Sequence, residues 1–292
     1  MKTLIIDYKD EGKKISTYLT SIYPNLNVNH VYKALRKKDI KLNGKRISSI
    51  EVLHYNDELQ VYITDSILNG IKSNIEIPTI YEDDNIAIFS KPVDFEVTGD
   101  NSLSSILKQK YSYIEPCHRI DRNTIGLVLF AKNPESLEIL LDKFKNFEIE
   151  KHYVACCYGI PKITSKTLNA YLFKDSKKSL VYISDEPKKG YSKITTSYKL
   201  IKNNPEKKLS LLDVTLHTGK THQIRAHLAH SSLPILGDGK YGSYEINKRF
   251  KVYTQCLCSY SISFNFTSDS GILNYLNDSS FALKKLPYED LL

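Results

Sequence analysis

The stretch from Cys117 to Asn133, CHRIDRNTIGLVLFAKN, constrains the fold more than any other part of the chain. Its second half, Leu127-Val128-Leu129-Phe130, is an uninterrupted apolar run that follows the turn residues Thr124 and Gly126. A run of this kind after a turn signal is expected for a core strand buried on both faces. The first half places one carboxylate, Asp121, between the guanidinium groups of Arg119 and Arg122, with the imidazole of His118 three residues upstream. Asp121 is therefore expected on a loop at the mouth of a rigid strand, where functional groups are often placed. Taken alone, the pattern also fits a surface Arg-Asp-Arg ion-pair cluster.

With 292 residues the chain can form one large domain, or a large and a small one. A net charge of +8 points to an anionic partner, although basic proteins without nucleic-acid ligands are common. The five cysteines form no CxxC pair and match neither a zinc site nor a disulfide framework. Reduced thiols in the cytoplasm are the expectation. Met1 to Asp7 runs into charge at once, unlike a signal peptide, and no apolar run approaches the roughly 18 residues that span a membrane.

Residues 1–65 read as a small module. Ile15, Tyr18, Leu19 and Ile22 recur at helical spacing, and a second helix is expected from Asn29 as N-cap through Val31, Tyr32 and Leu35. Ile40 to Ile47 alternates around Asn43-Gly44, a strong hairpin signal, and Glu58 to Ile63 reads as a further strand. Helix and hairpin gather Lys33, Arg36, Lys37, Lys38, Lys41, Lys45 and Arg46, with Asp39 as the offsetting charge in that segment. A solvated charged face is one reading of this cluster. The other is a surface that binds phosphates through counterion release without reading sequence. Residues 66–77 mix Ser, Asn, Gly and isolated apolar residues, which suits a linker.

Residues 78–292 read as a large domain. Thr79 to Pro92 gives strand, acidic turn, strand and a stop at Lys91-Pro92. A helix is expected from Ser102 to Lys110, and another from Pro134 to Phe147, with Leu137, Leu140, Leu141 and Phe144 on its apolar face. Glu148 to Gly159 reads as a strand carrying Lys151 and Tyr153. Residues 160–210 suggest one or two basic antiparallel hairpins, with no function assigned. The strand Leu211–Leu216 then runs into His217-Thr218-Gly219-Lys220-Thr221-His222-Gln223-Ile224-Arg225, where Thr221 is expected to cap a helix. His222, His227 and His230 raise a zinc reading, but His222 and His227 are five apart and do not share a helix face as i, i+4 ligands would. No metal is expected.

Four of these stretches, in this order, resemble the motifs of the RluA-type pseudouridine synthases. HRIDRNTIGLVLFAK is similar to the family's central motif, and TGKTHQIRAHLA with PILGDGKYG to its third. Tyr81 to Pro92 resembles the opening motif, with Asp94-Phe95 where the family usually has Gly and an apolar residue. Lys151 to Gly159 resembles the second motif. Lys220 replaces the usual Arg, and Cys258 stands where the family often has His. Residues 1–65 resemble, more loosely, the alpha-L RNA-binding module.

The resemblance implies an α+β fold: a large, mixed, mainly antiparallel sheet with flanking helices and a cleft across its middle. It implies isomerisation of uridine to pseudouridine in structured ribosomal or transfer RNA, by a monomer that needs no cofactor. Asp121 would be the catalytic carboxylate, Tyr153 would stack on the target base, and Arg225 would pair with Asp121. Arg119 would occupy the space vacated by the flipped base, and Lys151, Lys220 and the N-terminal cations would hold phosphates. His118, His222 and Gln223 would also contact RNA. The competing readings are a non-catalytic RNA-binding or assembly protein that retains the fold, and a hydrolytic nuclease. The intact Asp121, Tyr153 and Arg225 argue against the first. The lack of clustered metal-binding carboxylates or paired catalytic histidines argues against the second.

Overall fold

The computed structural model describes residues 2–23, 26–63, 68, 76–100 and 102–292. The chain divides into two compact units, Met1–Glu76 and Ile77–Leu292.

In the first unit, β1 (Lys2–Ile5), α1 (Ile15–Ile22), α2 (Val28–Arg36), β2 (Ile40–Leu42), β3 (Lys45–Arg46) and β4 (Glu58–Val61) follow in order. The strands form an antiparallel sheet in the order β1-β4-β2-β3. Ile15 and Leu19 of α1, with Val31 and Leu35 of α2, meet Ile40, Leu59 and Val61 in one buried core. Asn43 and Gly44 both take positive φ, which lets a two-residue turn match the twist of its strands. The cap of α2 is Asn27, whose side chain accepts from the Asn29 amide; Asn29 is two positions too late to do this. β1 is too short and too mixed in polarity to announce itself, and pairing with β4 makes it a strand. Most of the expected linker lies outside the described residues, but Leu68 within it is fully buried in this core.

In the second unit, β5 (Thr79–Glu82), β6 (Ile86–Lys91), α3 (Leu103–Leu107), β7 (Glu115–Pro116), β8 (Ile125–Ala131) and α4 (Pro134–Lys145) come first. They are followed by β9 (Ile149–Tyr158), β10 (Ser165–Asp175), β11 (Leu180–Ser184), β12 (Ser192–Asn204) and β13 (Leu209–Leu216). Helices α5 (Gln223–His230) and α6 (Tyr244–Phe250), then β14 (Leu257–Phe264) and β15 (Ser280–Ala282), complete it. The sheet runs β11-β10-β12-β13-β9-β14-β8-β6-β5, with β7 paired to β8 and β15 to β14. Among the described residues its ladders are antiparallel except β14 against β8. This is the expected α+β architecture.

The apolar run does become a strand buried on both faces, since Gly126 through Ala131 are all buried. Gly126, at φ +105°, lets β8 approach β14: a Cβ there would lie 2.1 Å from the Ser259 carbonyl oxygen. Helix α3 is shorter than expected and begins at a Ser102–Ser105 capping box. In α4, Leu140 is buried, but Leu141 is exposed and does not belong to the apolar face. Thr221 does not cap α5. His222 holds that position at φ +53° and makes no side-chain cap bond. Residues 160–210 form β10, β11 and β12, with Lys177-Lys178 and Lys188-Lys189 in the connections.

Candidate active site

Asp121 lies on the loop that feeds β8, and that loop is held from three sides. Its turn closes with the Thr124 amide donating to the Asp121 carbonyl at 3.0 Å. Buried Thr124 receives a hydrogen bond from the Gln255 amide at 2.6 Å. From the other side comes Lys91, 1% exposed, at the end of β6. Its ammonium donates to the carbonyls of Pro92 (2.9 Å), Phe95 (2.7 Å) and Arg122 (2.9 Å). The segment after β6 and the Asp121 loop are thereby tied to one buried charge, whose pKa burial lowers to about 7. Lys91 was legible only as part of a Lys-Pro stop; the clamp depends on carbonyls that tertiary structure delivers.

Arg122 turns away from Asp121 and pairs with Asp94 at 2.7 Å. Asp94 sits at φ +66°. Aspartate is one of the few side chains that tolerate this conformation, and here it also supplies the ion pair to Arg122.

Across from the loop, α5 presents Arg225, 6% exposed. Its Nη1 donates to Asp121 Oδ2 at 2.9 Å, while Nε and Nη2 grip the Asp238 carboxylate at 2.7 and 3.0 Å. Asp238 is 1% exposed and also accepts the amides of Lys240 and Tyr241. Burial opposes its ionisation, but Arg225 and these amides outweigh burial and hold its pKa below the usual aspartate value. The forked bond to Asp238 fixes the guanidinium plane, so the remaining nitrogen points at Asp121. Asp238 was not singled out from the sequence; its place in the GD motif was the available signal.

Tyr153 projects from β9 between Val214 and Ser259. Burial, then the charge of Asp121, raises its pKa, so it is a neutral phenol near the carboxylate. Lys151, two residues earlier and hence on the same strand face, places its ammonium 5.0 Å from the Phe144 ring. Burial lowers its pKa to about 8.

The other expected RNA contacts separate into two groups. Arg119 and Lys220 are exposed. His118 and Gln223 bond within the protein itself. His118 Nε2 accepts the Leu129 amide at 3.1 Å, its ring packs 5.1 Å from Phe144, and burial then Lys151 drive its pKa well down. Gln223, 2% exposed, donates to Thr195 O and Thr196 Oγ1 and accepts from Thr218 Oγ1 and the Lys220 amide. Its amide has no capacity left for a ligand. The three histidines of the zinc reading diverge: His222 meets Tyr241, His227 meets Thr196 and His230 meets Asp185. Among the described residues no three potential ligands gather.

In the first unit, Lys33, Arg36 and Lys37 are exposed on α2, and Lys45 and Arg46 on the hairpin. Arg46 donates to the Lys38 carbonyl, which ties the hairpin to the end of α2. Lys41 and Arg46 both lie over the Tyr62 ring, at 5.4 and 5.7 Å. Among the described residues none of these six cations pairs with a carboxylate.

Comparison with known proteins then decides the family. Residues 85–230 match the sequence profile described as RNA pseudouridylate synthase. The chain is 31% identical to an RNA pseudouridine synthase of Mycoplasma capricolum, over 95% of this chain and 96% of that protein. This chain belongs to the RNA pseudouridylate synthase family. The synthase is an isomerase that converts uridine in RNA to pseudouridine. It is also 28% identical to ribosomal large subunit pseudouridine synthase C of Vibrio vulnificus, over 87% of this chain and 83% of that one. The human RNA pseudouridylate synthase domain containing 1 shares its fold, with a TM-score of 0.56 and 19% identity over 74% of this chain and 92% of the other. No helix among the described residues of the synthase is long and apolar enough to cross a membrane.

Proposed function

We propose that this synthase modifies uridine in the large-subunit ribosomal RNA, in the cytoplasm, with Asp121 as its catalytic carboxylate. The observation that carries the assignment is the Arg225 bridge, which aims one guanidinium nitrogen at Asp121 while Asp238 holds the other two. A carboxylate held in this way can act at C1′ when the N1–C1′ bond of uridine breaks, either by attack or by assisting a glycal route. Tyr153 stacks on the target base. Arg119, exposed on the same loop, fills the space the base leaves when it flips out, a step that costs about a few kcal/mol. Lys151 and Lys220 hold phosphates near the site.

Residues 1–65 act as an alpha-L type RNA-binding module, and Lys33, Arg36, Lys37, Lys41, Lys45 and Arg46 supply its affinity. The naming of several relatives for the large ribosomal subunit supports ribosomal RNA over transfer RNA as substrate. The test is to map pseudouridine in total RNA from cells with and without the protein. Loss of one or more sites in large-subunit ribosomal RNA is expected. Loss confined to transfer RNA would overturn the substrate assignment.

A further inference from the structure

His222 has no assigned part in the bond rearrangement, yet its surroundings fix its chemistry closely. It stands at φ +53°, a conformation that favours glycine or asparagine, immediately before α5. Its Nδ1 lies 2.8 Å from the Tyr241 hydroxyl. That hydroxyl oxygen already accepts the Val181 amide at 2.9 Å, which favours donation of the phenol proton to Nδ1 over a second accepted bond. An Nδ1 that accepts must be unprotonated, and the imidazole then carries its single proton on Nε2. Tyr241 is itself held beneath Arg225, whose guanidinium carbon lies 5.3 Å from the ring centre. Nε2 makes no hydrogen bond to any described residue.

The charged groups that act on this ring are Asp121, Arg225, Lys240 and Asp238. Burial and the two cations outweigh the carboxylates, so its pKa lies below the usual histidine value. The imidazole is thus neutral, half-exposed and beside Asp121, with one N–H unused. A phosphate contact would favour a charged imidazole. A neutral donor suits a carbonyl oxygen.

We infer that the Nε2–H of His222 donates a hydrogen bond to a carbonyl oxygen of the target uracil, with Tyr241 as the residue that positions it. The inference rests on Asp121 being the catalytic carboxylate. When the N1–C1′ bond breaks, its electron pair stays with the uracil and spreads onto the ring oxygens. C1′ is taken by the Asp121 carboxylate, or C2′ loses a proton. His222 keeps its own proton throughout and stabilises the charge that collects on oxygen, as preorganised donors do in other active sites. C5 then bonds to C1′ as the bond from C1′ to the Asp121 carboxylate breaks, or as C2′ takes its proton back; the C5 proton leaves and N1 gains one, so the product is an isomer of the substrate.

The experiment compares wild type, His222→Asn, His222→Gln and Asp121→Asn as full-length proteins on one ribosomal RNA fragment. Single-turnover rate at saturating protein, RNA affinity and its salt dependence are measured for each. Asparagine is the more comfortable residue at this φ, but its amide stops near the Nδ1 position. Glutamine strains the backbone but reaches the Nε2 position. A rate loss of about 100-fold for Asn, partly recovered by Gln, with affinity within about twofold of wild type, is expected. Full activity of His222→Asn would make His222 structural. Weaker binding with a shallower salt slope and an unchanged rate would make it a phosphate contact. Either outcome, with Asp121→Asn inactive, overturns this inference and leaves the role of Asp121 standing; an active Asp121→Asn overturns the role of Asp121 instead.

The hydrogen-bond assignment has its own readout. In protein labelled with 15N-histidine, the signal that disappears in His222→Asn should show the proton on Nε2 in wild type, and a mixture of tautomers in Tyr241→Phe. A proton on Nδ1 in wild type contradicts the inference, whatever the variants do in turnover.

Discussion

At the residue scale, Arg225 joins two carboxylates that differ in environment. Asp238 is sealed off and takes two of the guanidinium nitrogens, whereas Asp121 is about a quarter exposed and takes one. The first contact holds the arginine, and the second presents it. Removing one partner of a buried ion pair costs about 3–5 kcal/mol, because the other charge stays behind without water. Asp238→Asn should therefore lower unfolding stability by about 3 kcal/mol at neutral pH. The sign with pH follows from the lowered pKa of Asp238. Its contribution is fully present above its ordinary value of about 3.8 and is lost as pH falls through the lower folded value. Urea unfolding of wild type and variant should thus differ most at neutral pH and converge as pH falls through the lowered folded value; a gap independent of pH would assign the loss to shape instead. The family resemblance singled out Asp121, Tyr153 and Arg225, and the fold brings Arg225 to Asp121. The sequence could not show the hydrogen bonds of His118 and Gln223, since their partners are groups of Leu129, Thr195 and Thr196 that only the fold brings near.

At the element scale, β9 presents different chemistry on its two faces. Lys151 and Tyr153 lie on one face, and His152 on the other. There His152 Nδ1 is 3.3 Å from Asp213 on β13, and Nε2 is 3.6 Å from Glu150. The hydrogen bond to Asp213 leads the causes that raise its pKa above 6.5. A histidine with a raised folded pKa stabilises fully below its unfolded value, and loses that contribution as pH rises through the folded one. Stability should therefore decline from about pH 6.5 upward in wild type, and His152→Gln should remove that part of the slope. Thermal melts between about pH 5 and 9 check it, and an unchanged slope would assign the titration to another group.

The long apolar and helical patterns gave β8, α1 and α4 from sequence. Strand β10 was not legible, because Ser165 to Asp175 mixes exposed polar and apolar residues and becomes a strand through pairing with β11 and β12. The start of α5 differs from the expectation because Thr221 is a good cap by type, whereas the left-handed turn at His222 moves the helix start past it. The Lys91 clamp shows the same limit: a strand end was legible, but not the three carbonyls it collects.

At the scale of the whole molecule, binding and chemistry are assigned to different units. The six cations of the first unit lie among the described residues without a carboxylate partner, so each is free to release a counterion from RNA. Replacing Lys33, Arg36, Lys37 and Lys45 with Gln in the full chain should weaken RNA binding. It should also reduce the slope of log affinity against log salt by roughly 0.7–0.9 for each phosphate that is no longer neutralised. An unchanged slope would show that these cations are only a solvated face. The turnover rate of RNA once bound should stay near that of wild type, because the carboxylate lies in the other unit. The most direct test of that division is Asp121→Asn, nearly isosteric and unable to act as a nucleophile, assayed for pseudouridine formation and for RNA binding in the same buffer. The expected result is wild-type affinity and salt slope with no detectable product. Turnover within tenfold of wild type, a loss of only about 1.4 kcal/mol of transition-state stabilisation, would place the chemistry on another residue.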